Sequence, residues 1–174
     1  MVRRRPFAVV LLFAALAASA ALLPLTGCSN AAADKAAIDA SVQSLTRAVN
    51  AKDIDGIMAY YAPDSSLFVY DVIPPRQYVG ADAYRKDWQG VLDSFSGPLH
   101  FAVADWTIET AGDFAYAHGT ARMTGTGKDG KPVDETIRLT DVYRKIGGKW
   151  LVVHEHASVP IDPVTLKPDM DSKL

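Results

Sequence analysis

Cysteine is all but missing from this 174-residue chain: Cys28 stands alone. One cysteine closes no intramolecular disulfide and supplies no thiolate cluster for a structural metal site. Positive charge is thin as well. Outside Arg3, Arg4 and Arg5, 15 basic residues face 20 acidic ones, a net charge of −5. No run of Lys or Arg is interleaved with aromatics, so a nucleic-acid partner is not expected. No internal repeat is visible, which removes solenoid and propeller architectures. What remains after the first 27 residues suits one domain with a modest core.

The first 27 residues have the three parts of an export signal. Arg3, Arg4 and Arg5 form a basic start, an apolar run covers 7–23, and small residues close it. Leu25-Thr26-Gly27-Cys28 resembles the lipobox of bacterial lipoproteins. That resemblance implies cleavage before Cys28, lipid on its thiol and an acylated new amino terminus. Several acyl chains on one residue hold a protein on a membrane, where a single chain is marginal. A lipidated Cys28 also leaves no thiol to act as a nucleophile. Ser29 rather than Asp after the cysteine implies sorting to the outer membrane of a double-membrane cell, with the domain facing the periplasm. An uncleaved membrane anchor is the alternative, since 7–25 is barely long enough to span. Arg4-Arg5-Pro6-Phe7 faintly resembles a twin-arginine signal, but one basic cluster does not separate the export routes. Residues 28–33 read as a short tether, 34–161 as the domain and 162–174 as a loose tail. The closing Ser172-Lys173-Leu174 spells a peroxisomal address, a coincidence in an exported bacterial chain.

Periodicity orders the elements. Ile38, Val42, Leu45 and Val49 recur at helical spacing, so 34–51 reads as an amphipathic helix. Asp53 caps a short second helix with Ile54, Ile57, Met58 and Tyr61 on its apolar face, ended by Pro63. Residues 65–71 are strand-like, and Pro74-Pro75 turns the chain before 76–79. A third helix is expected over 81–96, stopped by Gly97-Pro98. Four long strands follow near 99–110, 114–125, 133–146 and 150–158, with glycines at each turn. Helices followed by a mainly antiparallel meander argue an α+β fold, the helices covering one face of a curved sheet.

Three segments carry a family resemblance. Asn50-Ala51-Lys52-Asp53-Ile54-Asp55-Gly56-Ile57-Met58 resembles the helix junction of SnoaL-like proteins in the nuclear transport factor 2-like superfamily. Tyr78-Val79-Gly80-Ala81-Asp82-Ala83, and the ending from Gly148-Lys149-Trp150 through His154-Glu155-His156 to Pro160, are similarly placed. The resemblance spans about 34–161. It implies a cone made by a bent sheet and three helices from the N-terminal half, with a pocket inside. It also implies frequent homodimers, in which the outer sheet face commonly pairs. The family holds ketosteroid isomerases, polyketide cyclases, dehydratases and non-catalytic binders, so fold alone does not decide function.

Strand parity locates candidate polar groups. Ile137, Leu139, Asp141 and Tyr143 share one face of the fifth strand, making Asp141 the one carboxylate in an apolar stripe. Burial raises the pKa of such a group unless a partner holds its charge. A two-residue Gly147-Gly148 hairpin sets Ile146 opposite Lys149. Counting back in that register sets Tyr143 opposite Val152, Asp141 opposite His154 and Leu139 opposite His156. An Asp141–His154 contact on the pocket face follows, unless a slip or bulge intervenes. The same pair could equally be a buried contact that only fixes the hairpin. His154 and His156 could offer two metal ligands, but no third ligand has a recognisable spacing, so neither metal nor cofactor is expected. Tyr84, Trp88 and Trp106 are candidate pocket aromatics, although aromatics at such spacing are more often core. His118 shares a face with Phe114 and Tyr116 and reads as packed or surface. His100 carries no signal.

The resemblance to ketosteroid isomerases adds roles. The position matching Asp71 is their general base, and the position matching Asp141 is the neutral acid that donates to the oxyanion. Their first-helix tyrosine is replaced here by Leu45. Losing one oxyanion donor costs a factor of about a hundred or more, so inherited isomerase activity is not expected. Asp71 could equally be a plain turn residue. Two functions therefore stand beside each other. The favoured one is a non-catalytic module that binds a small hydrophobic or carbonyl-bearing ligand, or docks a protein, in the cell envelope. The other is an enzyme using Asp71 with the Asp141–His154 pair.

Overall fold

The computed structural model describes residues 31–169. The signal, Cys28 and the closing Ser172-Lys173-Leu174 lie outside the described residues.

Helix α1 (Ala31–Asn50) buries Ile38, Val42, Leu45 and Val49 on one stripe. It begins at Ala31, so part of the expected tether is already helical. Both ends are fastened to the sheet. Asp34 accepts hydrogen bonds from Lys145 Nζ at 2.7 Å and Trp150 Nε1 at 3.0 Å. At the other end, Asn50 exchanges two hydrogen bonds with the backbone of Phe101, at 3.0 and 2.7 Å. Helix α2 (Ile54–Met58) follows, and its Asp53 cap accepts from the Gly56 amide at 3.0 Å. A side chain at Gly56 would meet the Ala48 methyl at 2.9 Å, so glycine here lets α1 and α2 close together.

Strands β1 (Phe68–Tyr70) and β2 (Tyr78–Val79) are short, and both fall within the expected extended stretches. Helix α3 (Ala81–Ser94) buries Tyr84, Trp88 and Leu92. It ends two residues before the expected stop, because Phe95 is already extended and pairs with Gly127. Strand β3 (Phe95–Ala111) therefore runs through Gly97-Pro98 rather than starting after it. Proline is tolerated there because β3 is an edge strand and pairs only with β4 (Phe114–Gly127). Strands β5 (Pro132–Ile146) and β6 (Lys149–Ser158) complete the meander.

The six strands form one curved, unclosed sheet in the order β2-β1-β6-β5-β4-β3. Among the pairings of these six strands only β1–β6 is parallel; the others are antiparallel. The α+β expectation holds. Besides the register shift between Phe95 and Leu99 at Gly97-Pro98, two bulges interrupt the ladders of the described residues. In β3, Asp105 takes a left-handed φ of 54° where the ladder skips between Ala104 and Thr107. Gly119 on β4 makes room, since a Cβ there would lie 2.7 Å from the Ala104 carbonyl oxygen. In β6, Val142 faces His154 while Tyr143 faces Val152, so Val153 is the extra residue.

That second bulge decides the interior. The hairpin itself forms as expected, with Gly147 and Gly148 at φ 56° and 81° and Ile146 opposite Lys149. Beyond Val153 every side chain changes face. Trp150 and Val152 point inward before it, and Glu155 and Ala157 after it. The described part of the tail expected over 162–174 folds back through an Ile161–Pro168 bridge and an Asp169 amide to Pro160 carbonyl bond of 2.8 Å.

Candidate functional site

The concave side of the sheet and the helices enclose a cavity of about 130 Å³. Each element supplies residues at its own period. Tyr84, Asp87, Trp88 and Val91, spaced i, i+3, i+4 and i+7 on α3, form one wall. Glu135, Ile137 and Leu139 alternate along β5 to form another, with Ala121 and Met123 of β4 beside them. Glu155 and Ala157 come from β6, Leu45 from α1 and Tyr61 from the segment after α2. Asp71, at the end of β1, stands at the mouth with Val72 and Ile73.

Glu155 is 3 % exposed, and both its oxygens are occupied. Tyr61 donates to Oε2 at 2.9 Å and Tyr84 to Oε1 at 2.5 Å. Burial, with the nearby Asp141 charge, pushes its pKa well above the ordinary carboxylate value despite those donors. Asp141 is its cross-strand partner and is 1 % exposed. It lies beside Glu155 and does not line the cavity. Tyr60 donates to Asp141 Oδ2 at 2.7 Å and Tyr143 to the same oxygen at 3.1 Å, and the two phenols touch each other. Burial raises Asp141 to about 7, against the lowering effect of the two phenols. A two-carboxyl, four-tyrosine network thus lies beside and along the inner wall.

A second carboxyl pair guards the mouth. Asp71 is raised to about 6, first by burial and then by the charge of Asp87. Its backbone bond from the Val72 amide works in the opposite direction. Asp87 is raised by burial and eased by Tyr78, whose hydroxyl lies 2.6 Å from Oδ1. A carboxyl with a pKa near 6 exchanges protons readily at neutral pH.

The sequence-derived candidates divide accordingly. Asp71, Tyr84, Trp88 and Leu139 line the cavity. Asp141 and Tyr143 are buried, do not line it and are bonded to each other. His154 and His156 do not enter it. The expected Asp141–His154 pair is replaced by Asp141–Glu155 because of the extra residue at Val153. His154 is half-buried on the outer face, Nδ1 2.9 Å from the Phe68 carbonyl oxygen and its ring beside Tyr70. His156 is exposed on the same face. His118 is exposed on the outer face too, stacked near Tyr116. Trp106 lines a separate open groove between α1 and β3.

Sequence reasoning missed Glu155, Asp87, Tyr60 and Tyr61 as polar site groups. Asp87 was recoverable, since it lies three residues after Tyr84 on the helix face already assigned to the pocket. Glu155 was not, because its inward direction depends on the bulge.

A SnoaL-like domain family model matches residues 38–162. No curated protein matches the chain. Among solved structures, a nuclear transport factor 2-like protein of unknown function from Pseudomonas putida is 35 % identical, with a TM-score of 0.73 over 82 % of this chain and 98 % of that one. A protein from Streptomyces avermitilis, provisionally named a dehydratase of the same superfamily, shares the fold at 16 % identity and a TM-score of 0.63, covering 73 % and 96 %. One from Novosphingobium aromaticivorans, provisionally named a scytalone dehydratase, does so at 14 % and 0.66, covering 75 % and 86 %. With the cone-like architecture, the helix junction and nearly the whole domain matched, the chain belongs to the SnoaL-like domain family of the nuclear transport factor 2-like superfamily.

Proposed function

We propose that this domain binds a small, largely apolar ligand in its internal cavity while Cys28 tethers it by lipid to the bacterial envelope. The cavity itself carries the proposal. Its walls are mainly aliphatic and aromatic, and a few polar groups converge on it, the common form of a small-molecule site. The lipobox-like Leu25-Thr26-Gly27-Cys28 supports the tether. A ligand that binds only the folded state raises the melting temperature. Ligands of this type should therefore stabilise the protein, and Ala157→Phe, which fills the cavity from β6, should abolish the shift while preserving the fold. A shift unaffected by Ala157→Phe would place binding elsewhere.

A second reading is favoured by the pKa of Asp71, raised to about 6 at the cavity mouth. In that reading the domain is an enzyme that moves a proton on a carbonyl- or hydroxyl-bearing substrate, with Asp71 as base and the Glu155–Tyr84 pair as polar support. Two distant relatives of the same fold carry dehydratase names, which agrees with proton chemistry of this kind. Asp71→Asn should then abolish turnover while the protein stays folded, as read by circular dichroism. Retained turnover would remove Asp71 from the chemistry.

A further inference from the structure

Four carboxylates line the cavity: Asp71 and Asp87 at the mouth, Glu135 at the exposed rim and Glu155 within. No Lys, Arg or His lines it. The ion pairs of the described residues lie elsewhere, joining Lys35 to Glu109, Arg85 to Asp55, Arg122 to Asp134, Lys131 to Asp129 and Lys145 to Asp34. None of the four cavity carboxylates has a cationic partner among the described residues. Nor do any three His, Cys, Asp or Glu side chains there converge as a metal ion requires. The surfaces between the carboxylates are aromatic, from Tyr61, Tyr84, Trp88 and Phe101. A second observation is independent of the acids. Trp88 is 8 % exposed and lines the cavity, and its buried indole N–H, beside the Tyr61 hydroxyl, makes no hydrogen bond of ordinary geometry. A donor in that position is completed by an acceptor on a guest.

We infer that the cavity takes a protonated primary amine with an apolar body of about one ring, its ammonium at Asp71 and Asp87 and its body against Tyr84, Trp88 and Phe101. This rests on the cavity being a ligand site, as proposed above. Size agrees. At about 130 Å³ the space is close to an engineered cavity of about 150 Å³ that holds benzene. Charge agrees too, since an anion would meet the acids at the mouth and a neutral guest would leave the Asp71–Asp87 pair without a counter-charge. Aromatic faces add attraction for a cation over the ring. An acceptor atom on the body would also satisfy Trp88.

Without a cation, protons take its place. Asp71 faces Asp87 and Tyr84 from α3, Tyr78 from β2 and Glu155 from β6, and it holds its proton up to about pH 6. An ammonium competes with that proton, so amine affinity rises as pH increases through that value.

The test is calorimetric titration of the full chain in detergent with benzylamine, benzyl alcohol and benzoate, which share one ring and differ in charge. Benzylamine should bind about tenfold or more tighter than the alcohol at pH 7.5, benzoate should not bind, and the amine preference should shrink at pH 5. Asp71→Asn should erase the preference, and Glu135→Gln, at the exposed rim, should reduce it without touching the core. Equal or tighter binding of alcohol or benzoate, or a preference that survives Asp71→Asn, overturns the amine assignment and leaves the cavity reading standing. If none of the three binds, both fall.

Discussion

Two acids with almost no water around them, Asp141 and Glu155, sit opposite each other on neighbouring strands. Burying an ionised carboxylate is costly, and here phenols rather than cations offset the cost. Tyr60 and Tyr143 serve Asp141, and Tyr61 and Tyr84 serve Glu155. The folded protein therefore holds protons that the unfolded chain releases. Asp141 has an ordinary value of 3.8 and is raised to about 7, so folding is favoured fully below the lower value and loses that contribution as pH rises through the upper one. Asn keeps an acceptor for both phenols but has no charge to bury. The melting temperature of Asp141→Asn should fall less between pH 5 and pH 8 than that of the parent. Parallel pH profiles for the two proteins would show that Asp141 is not the titrating group.

At the scale of elements, the single residue Val153 governs which side chains of β6 reach the cavity. Removing it would restore the plain two-residue alternation from the Gly147-Gly148 turn. His154 and His156 would then turn inward beside Asp141 and Leu139, while Glu155 and Ala157 would face solvent. Tyr61 and Tyr84 would lose their acceptor, and each unsatisfied buried group costs about 1–3 kcal/mol. Deletion of Val153 should therefore lower the unfolding free energy by several kcal/mol, on the order of two or more such losses, as read by urea denaturation. A deletion variant of unchanged stability would mean that the bulge is incidental. The other elements are more locally determined. The α2 cap at Asp53 and the close α1–α2 approach at Gly56 depend on residues within one short stretch of chain.

The whole molecule joins a cavity-bearing domain to an N-terminal segment of a different kind. Among the described residues no helix is long and apolar enough to cross a membrane. Attachment, in the proposed reading, rests on lipid at Cys28. Several acyl chains hold a protein firmly, and losing the only thiol removes the chain that a thioether carries. Cys28→Ser should lose incorporation of labelled palmitate and leave the membrane fraction. Persistent labelling of that variant would contradict the lipobox. Asp34, three residues into α1, is clamped by Lys145 and Trp150, so the segment that leads toward Cys28 starts from a fixed point on the sheet.

Much of the architecture is legible in the sequence alone. The 3.6-residue stripe of α1, the cap at Asp53 and the two-glycine hairpin are local signals, each carried by residues near one another in the chain. Those signals were enough for the α+β class and, with the family resemblance, for placing Asp71, Tyr84, Trp88 and Leu139 near one hollow. Only the tertiary structure settled which acid and which imidazole point where. A bulge is not written in the residues that flank it. It arises where β6 must pair with β5 on one edge and with β1 on the other while keeping Trp150, Val152 and Ala157 buried. That compromise among distant strands, rather than any local propensity, turned Glu155 inward and His154 outward.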